Sequence, residues 1–486
     1  MRALASTAAV LGLSAVVLAQ GGGWRAKPDL VARLAAQRPG INYDEARVPA
    51  YTLPDLLTSG TRSIKKPAQW TARRDEILEL FRDNVYGRSP GRPEHLAFSV
   101  IEENPRAMDG AATLRRVGIV SRQPVVEVAR GTETREAPGD PGARRENTGS
   151  IRPTSHAERR DASPVATNGE DEVRSHRADD ARKRVVKCRG ISTTGCQAGR
   201  THQFELTLFL PNRPGPAAVF LLINNRPASN TDPTRQEKSG FWPAEQLIAR
   251  GYGIAAIQYG QLAPDDKDTF RNGVIGLFDG SATGQPPYTW GALAAWGWGA
   301  SRVMDYLGRE PRVDASRVAL VGHSRGGKAA LWAGAEDPRF AMVVSNESGE
   351  GGAALSRRSY GETVERINTA FPHWFTATYQ AFNGREAALP VDQHMLLASI
   401  APRALYVASA DEDLWADPRG EFLSLAASSP AFGLFGDAAI APDAMPPLDT
   451  PLVVGRRGYH VRAGGHDLTP YDWDRFADFA DRVWRQ

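Results

Sequence analysis

Residues 318–335 constrain this chain more than any other stretch. Val318-Ala319-Leu320-Val321 reads as a buried strand and the run from Lys328 to Ala335 as a helix, with only Gly322-His323-Ser324-Arg325-Gly326-Gly327 between them. A strand that reverses into a helix over so few residues makes a very tight turn. Side chains two positions either side of Ser324 would collide there, and both positions are glycine. A bare G-x-S-x-G is often an ordinary glycine turn; a strand before it and a helix after it mark it as a nucleophile turn. Such a turn lifts the Ser324 hydroxyl above the sheet. It also leaves the Arg325 amide at a helix N-terminus, facing any oxyanion that forms beside it.

The rest of the sequence agrees with a fold built for such a turn. From residue 204 onward strand-like runs (204–210, 217–223, 253–258, 317–322, 341–345, 404–409, 459–463) are interspersed with helical ones (241–250, 290–307, 325–335). The run 217–223 is apolar throughout, as in a strand buried on both faces. Alternation of this kind predicts an α/β protein of the α/β-hydrolase type, a three-layer sandwich with a mostly parallel central sheet. Upstream, residues 72–86 have helical spacing and 114–120 form a further strand, while Phe204, Leu206 and Leu208 alternate with polar neighbours. Residues 20–70, rich in Pro and Gly, are expected to wrap the surface. Between the strands at 114–120 and 204–210 lies a polar segment, 124–198, that is poor in aromatic residues and has no period. It cannot bury enough apolar surface to offset the entropy of ordering it. Without it, Gln123 runs nearly straight into Arg200, so it reads as a disordered insertion at a hairpin tip, or as an error of the gene model. The hydrolase domain then comprises residues 20–123 and 199–486.

The N-terminus has the form of an export signal: Met1-Arg2, then an apolar stretch over 8–18, then Val17-Leu18-Ala19 before a cleavage point near residue 19. That stretch is shorter than the roughly 20 residues a membrane span requires. A secreted or periplasmic protein is expected, with no membrane attachment after cleavage. A net charge of +3 over 486 residues, with both signs interspersed, argues against a nucleic-acid partner. Cys188 and Cys196 are the only cysteines; they either close a small loop or stay free. There is no Cys/His cluster at ligand spacing, so neither a metal nor a cofactor is expected. The default assembly is a monomer.

A serine hydroxyl needs an adjacent base, itself oriented by an acid. Of the nine histidines, His466 is the expected base. It lies in Gly464-Gly465-His466-Asp467, after the last strand and before a C-terminal helix with Trp473, Phe476, Ala480 and Val483 on one face. His460 falls within the strand and reads as structural, and His394 as a satisfied core residue. Two carboxylates qualify as the acid, Glu347 after the strand at 341–345 and Asp413 after the strand at 404–409; general topology favours Asp413. Arg325 and Lys328 are cations at a helix N-terminus, where they oppose the macrodipole. Lys328 follows Ser324 by four positions and shares its helical face, so both cations point to a functional demand beside the serine.

Gly-His-Ser-Arg-Gly-Gly-Lys at 322–328 resembles the G-C/H-S-R-x-G-K signature of the glucuronoyl esterases, and Glu347-Ser348-Gly349-Glu350-Gly351-Gly352 resembles their E-S-G-x-G-G element. Phe371-Pro372-His373-Trp374-Phe375, Ala401-Pro402-Arg403, Asp413-Leu414-Trp415 and Gly465-His466-Asp467 are similar to bacterial members. The likeness spans roughly residues 70–123 and 199–486. It implies cleavage of the ester between a (4-O-methyl-)glucuronate of glucuronoxylan and a lignin alcohol. It also implies that Glu347 is the acid, with Asp413 a second acid, so that losing Glu347 costs more. Arg325 would bind the oxyanion through its side chain as well as its amide, and Lys328, Glu362 and Trp415 would hold the sugar. In one departure, His323 stands where fungal members have a disulfide-bonded Cys. In another, Glu350 adds a carboxylate whose charge is expected to raise the pKa of its neighbour Glu347 or its own. The competing readings are an acetyl-xylan or other carbohydrate esterase and a non-catalytic glycan-binding protein on the same fold.

Overall fold

The computed structural model describes residues 23–123, 200–279 and 290–484. The expected signal, the segment 124–198 and both cysteines lie outside these residues. Ten strands form one sheet: β1 (His95–Ala107), β2 (Ala112–Gln123), β3 (Arg200–Pro211), β4 (Ala217–Asn224), β5 (Gly253–Gln258), β6 (Val313–His323), β7 (Met342–Asn346), β8 (Ala404–Ala410), β9 (Leu452–Val454) and β10 (Arg457–Arg462). Their order is β9-β10-β8-β7-β6-β4-β5-β3-β2-β1. The block from β10 to β5 is parallel; β1–β3 and the edge strand β9 join it antiparallel.

Burial follows the sequence pattern. Every residue of β4 is buried, and in β3 Phe204, Leu206 and Leu208 face the core. Along β6, Val318 and Leu320 pack on one side of the sheet and Ala319 and Val321 on the other. The first side carries helices α1 (Pro67–Phe81), α3 (Ala292–Leu307), α4 (Arg325–Glu336), α5 (Gln393–Ala398) and α6 (Pro418–Ala427); the second carries α2 (Ala244–Ala249) and α7 (Pro470–Trp484). This is the α/β-hydrolase layering that the sequence predicts. The ends of β2 and β3 that flank residues 124–199 lie directly opposite each other, with Gln123 against Arg200 and Arg122 against Thr201.

Two elements depart from expectation. Strand β1 is a bulged edge strand, largely exposed, whose alternation at Leu96 and Phe98 soon gives way to the charged and polar run Glu102–Arg106. Its register partners on β2 include Glu102–Arg116 and Glu103–Arg115, charges of the kind that keep an edge from pairing with another chain. Residues 28–37, expected to be irregular, form a helix that starts at Pro28 and buries only Leu30. Ile41 and Tyr43 follow it into a small cluster with Tyr360 and Leu414. The segment therefore does more than wrap the surface, because it packs against the turn that presents Trp415.

Candidate active site

The turn at Ser324 is as tight as its glycines require. A Cβ on Gly322 would overlap the Gly326 carbonyl, and one on Gly326 would lie 2.9 Å from that of Ile223. Ser324 takes φ 55° and ψ −126°, a conformation that L residues adopt only where the surroundings enforce it. Its N–H is held by the Asn346 carbonyl at 2.9 Å, and its own carbonyl accepts from Gly327 (2.9 Å) and Lys328 (3.2 Å). The opening amide of α4, at Arg325, has no carbonyl within the helix to bond.

His466 comes to this turn from the loop after β10. Its ring lies 4.4 Å from that of His323, the residue before the serine. Its Nδ1 faces two carboxylates at once, Asp413 Oδ2 at 2.7 Å and Glu347 Oε2 at 3.3 Å. Both candidate acids thus reach the same nitrogen, and Asp413 is the nearer, the reverse of the order implied by the family resemblance. Glu347 is committed elsewhere as well: Oε1 accepts from Arg462 at 2.6 Å and Oε2 from the Asp467 amide at 3.1 Å. Ligand-like atoms of Glu347, Asp413 and His466 lie within 4.8 Å of one another, a spacing these hydrogen bonds produce by themselves. Desolvation pulls the His466 pKa down, but Asp413 and then Glu347 overcome it and raise the value above that of an ordinary imidazole. Burial and the Asp413 charge push Glu347 up to about 8, against His466 and Arg462. Glu350 does not take part. Its Oε1 accepts from Ser356 (2.7 Å), Tyr379 (2.8 Å) and the Gly351 amide (3.0 Å). Burial raises it, and the carboxylates that add to this are Asp392 and Glu386, so the coupling to Glu347 expected from the sequence is replaced by separate surroundings.

Two buried groups that the sequence did not single out hold the site together. Arg462 binds Glu347, Asp472 (2.9 Å) and the carbonyls of Gly465 (3.0 Å) and Asp467 (2.7 Å), so one guanidinium fixes the loop carrying His466. Asp265 does the same for Arg325. Its side chain, 9% exposed, pairs with the Arg325 guanidinium and accepts from Trp374 Nε1 (2.6 Å) and His373 Nε2 (2.9 Å). Burial would raise its pKa, but His373, Arg325 and Trp374 outweigh it and hold the carboxyl at about 2. Arg325 also lies 5.0 Å from the Trp374 ring centre and 5.3 Å from that of Phe371, contacts that favour a fixed cation. Arg462 has one signal in the sequence, a strand position among core residues. Asp265 has none, because Asp265-Asp266-Lys267-Asp268 reads as a solvated turn.

The expected sugar-holding residues lie together. Lys328 donates to the Ser348 carbonyl and pairs with Glu362 at 3.6 Å, both buried. The Glu362 amide donates to the Trp415 carbonyl at 3.0 Å; desolvation raises the pKa of the Glu362 carboxyl, against Lys328 and Trp415. The Arg38 guanidinium sits 4.8 Å over the Trp415 ring. His323 is buried, with Nδ1 2.6 Å from Asn346 Oδ1; burial and the His466 charge hold its pKa well below the usual imidazole range. His460 and His394 are structural, as expected: His460 binds Asp472 (2.8 Å) and the Tyr406 hydroxyl (3.0 Å), and His394 Nε2 lies 3.0 Å from the Pro54 carbonyl.

A family model described as glucuronyl esterase, fungi, matches residues 247–436. Carbohydrate esterase MZ0003, from an unknown prokaryotic organism, is 36% identical over 461 residues, covering 94% of each chain. The 4-O-methyl-glucuronoyl methylesterase 1 of Phanerochaete chrysosporium is 35% identical over 199 residues, 38% of this chain and 41% of its own. The solved glucuronoyl esterase from Solibacter usitatus superposes with a TM-score of 0.70 at 36% identity, over 90% of this chain and 100% of its own. Fold and relatives define a carboxylic ester hydrolase of the α/β-hydrolase class. The chain belongs to the glucuronoyl esterase family.

Proposed function

We propose that this enzyme cleaves the ester between (4-O-methyl-)glucuronate on glucuronoxylan and an alcohol of lignin, through an acyl-enzyme on Ser324. The observation that carries the reading is the group formed by Arg325, Lys328, Glu362 and Trp415 beside the strained serine. Ser324 Oγ attacks the ester carbonyl carbon while His466 Nε2 takes its proton, with Nδ1 held by the carboxylates. The carbonyl oxygen becomes an oxyanion facing the Arg325 amide and guanidinium. His466 then gives its proton to the alcohol oxygen, and the alcohol leaves. A water attacks the acyl-enzyme, His466 accepts its proton and returns it to Ser324, and glucuronate departs.

A uronate ester is neutral, so Arg325 gains most when charge develops on the carbonyl oxygen. This is binding of the transition state over the ground state. Lys328 and Glu362 neutralise each other and offer N–H and oxygen groups to sugar hydroxyls, with the Trp415 indole alongside. An acetyl ester brings its acyl carbon to the serine without a sugar ring on the acyl side to meet these groups. Glucuronate methyl ester is therefore expected to be turned over with a kcat/KM at least about 100-fold above that of acetylated xylose. A preference for the acetylated sugar would reassign the substrate, and a chain that binds xylan without turning over either ester would support the glycan-binding alternative. Export, on the strength of the N-terminal signal, fits a polymeric substrate outside the cell.

Asp265 enters this reading as a positioning residue. Asp265→Asn keeps an acceptor for Trp374 but removes the charge that fixes Arg325. It is expected to lower kcat by about 10-fold or more with KM little changed, the signature of an interaction made in the transition state. A rise in KM at constant kcat would instead assign Asp265 to ground-state binding.

A further inference from the structure

Glu421 is a fully buried carboxyl that the reaction above does not use. It belongs to α6, the helix that follows the Asp413-Leu414-Trp415 turn. Among the described residues no cation pairs with it. Its Oε1 accepts from two consecutive backbone amides, Ser348 (2.8 Å) and Gly349 (3.0 Å). Its Oε2 accepts from Ser409 Oγ on β8 at 2.6 Å, and Ser409 Oγ accepts in turn from the Tyr459 hydroxyl on β10 at 3.0 Å. One side chain thus ties the turn after β7 to the two strands that lead to Asp413 and to His466. Burial pushes its pKa up to about 8, against the bonds from Ser409 and Gly349, so near neutral pH it bears a proton much of the time.

The two amides it holds are those that follow Glu347. Glu347 has φ 47°, in the left-handed region that a residue other than glycine keeps only where its surroundings enforce it. Here they do so from both sides. The Glu347 N–H donates to the Ala408 carbonyl at 2.7 Å, and the next two N–H groups go to Glu421. The Ser348 carbonyl accepts from Lys328, so the peptide between Ser348 and Gly349 is gripped at its oxygen by the lysine and at its N–H by the glutamate. Without Glu421, two buried N–H groups lose their acceptor. The turn is then free to relax, and Glu347 Oε2 to leave its 3.3 Å contact with His466 Nδ1.

We infer that Glu421 is a positioning residue for Glu347, fixing the turn that holds this second acid against His466. The inference rests on the esterase reading above and on both carboxylates serving His466. The test measures kcat and KM on the methyl ester of glucuronic acid for Glu421→Ala in three backgrounds: wild type, Glu347→Gln and Asp413→Asn. KM is expected to change little in any of them. The fall in kcat is expected to be about 5-fold in the wild type and under about 2-fold with Glu347→Gln, where the acid it positions is gone. With Asp413→Asn, where Glu347 serves the imidazole alone, it is expected to reach about 20-fold or more. Glu421→Gln, whose single oxygen can accept from both amides, is expected to recover most of the loss. Should Glu421→Ala not fold, Ser409→Ala, which frees the other carboxyl oxygen, is held to the same pattern: about 3-fold with Asp413→Asn and no fall with Glu347→Gln. A fall of equal size in all three backgrounds, or one confined to KM, overturns the inference while leaving the esterase reading intact. A wild type inert toward every glucuronate ester overturns both.

Discussion

Ser324→Ala and His466→Ala are each expected to lower kcat/KM on glucuronate esters by about 10⁴ to 10⁶-fold, and the double variant to be no worse than either single one, because the two residues act as one unit. Alanine at 324 removes the nucleophile and leaves Arg325, Lys328 and Trp415 to bind the substrate, so KM or an inhibition constant for the ester should change far less than kcat. The backbone supplies a second readout. Ser324 occupies φ 55°, which alanine tolerates no better than serine and which glycine adopts freely. Ser324→Gly is therefore expected to be as inactive as Ser324→Ala but more stable, by about 1 kcal/mol of relieved strain. Thermal unfolding of the two variants side by side measures this. Equal melting temperatures would mean that the turn is not strained, and residual activity in either variant would move the nucleophile elsewhere.

That turn was legible because it is written in consecutive residues: a strand, two glycines at fixed offsets and a helix. The parallel block from β4 to β10 was legible for a related reason, since strands buried on both faces, such as Ala217–Asn224, appear as unbroken apolar runs. What escaped notice depends on contacts far apart in sequence. Arg462 reaches Glu347 115 residues away, and Arg325 reaches Asp265 60 residues away. No period or motif encodes either pairing; each exists because the sheet brings loops from different strands to one edge. Strand β1 was missed because its alternation at Leu96 and Phe98 is short and gives way to an exposed, charged, bulged edge, and the helix at Pro28–Gln37 because its short stripe of Leu30, Val31 and Leu34 lies in a stretch rich in Pro and Gly. The ranking of the two acids falls between these cases. Both residues stood out in the sequence, but their order depends on distances to a single nitrogen.

Asp413→Asn is expected to lower kcat by about 10² to 10³-fold and Glu347→Gln by only about 10-fold, with the double variant approaching the roughly 10⁴-fold loss of a triad without its acid. Asp413 is the nearer partner of His466 Nδ1, at 2.7 Å against 3.3 Å. Glu347, already held by Arg462, is pushed up to about 8 by burial and by the Asp413 charge. It therefore carries the smaller share of negative charge while Asp413 is present. Removing Asp413 lifts that charge and lets Glu347 ionise more readily, so the second carboxylate partly takes over; removing Glu347 leaves the closer partner in place. The pH profile separates this from a loss of structure. The base works only when unprotonated, and Asp413 and Glu347 raise the His466 pKa by stabilising the imidazolium. Taking away a negative neighbour lowers that pKa, so the acidic limb of kcat/KM in the free enzyme moves to lower pH. The shift should be larger for Asp413→Asn than for Glu347→Gln. If Glu347→Gln instead gave both the larger fall in kcat and the larger shift of that limb, the order implied by the family resemblance would stand, and the shorter hydrogen bond would not mark the catalytic acid.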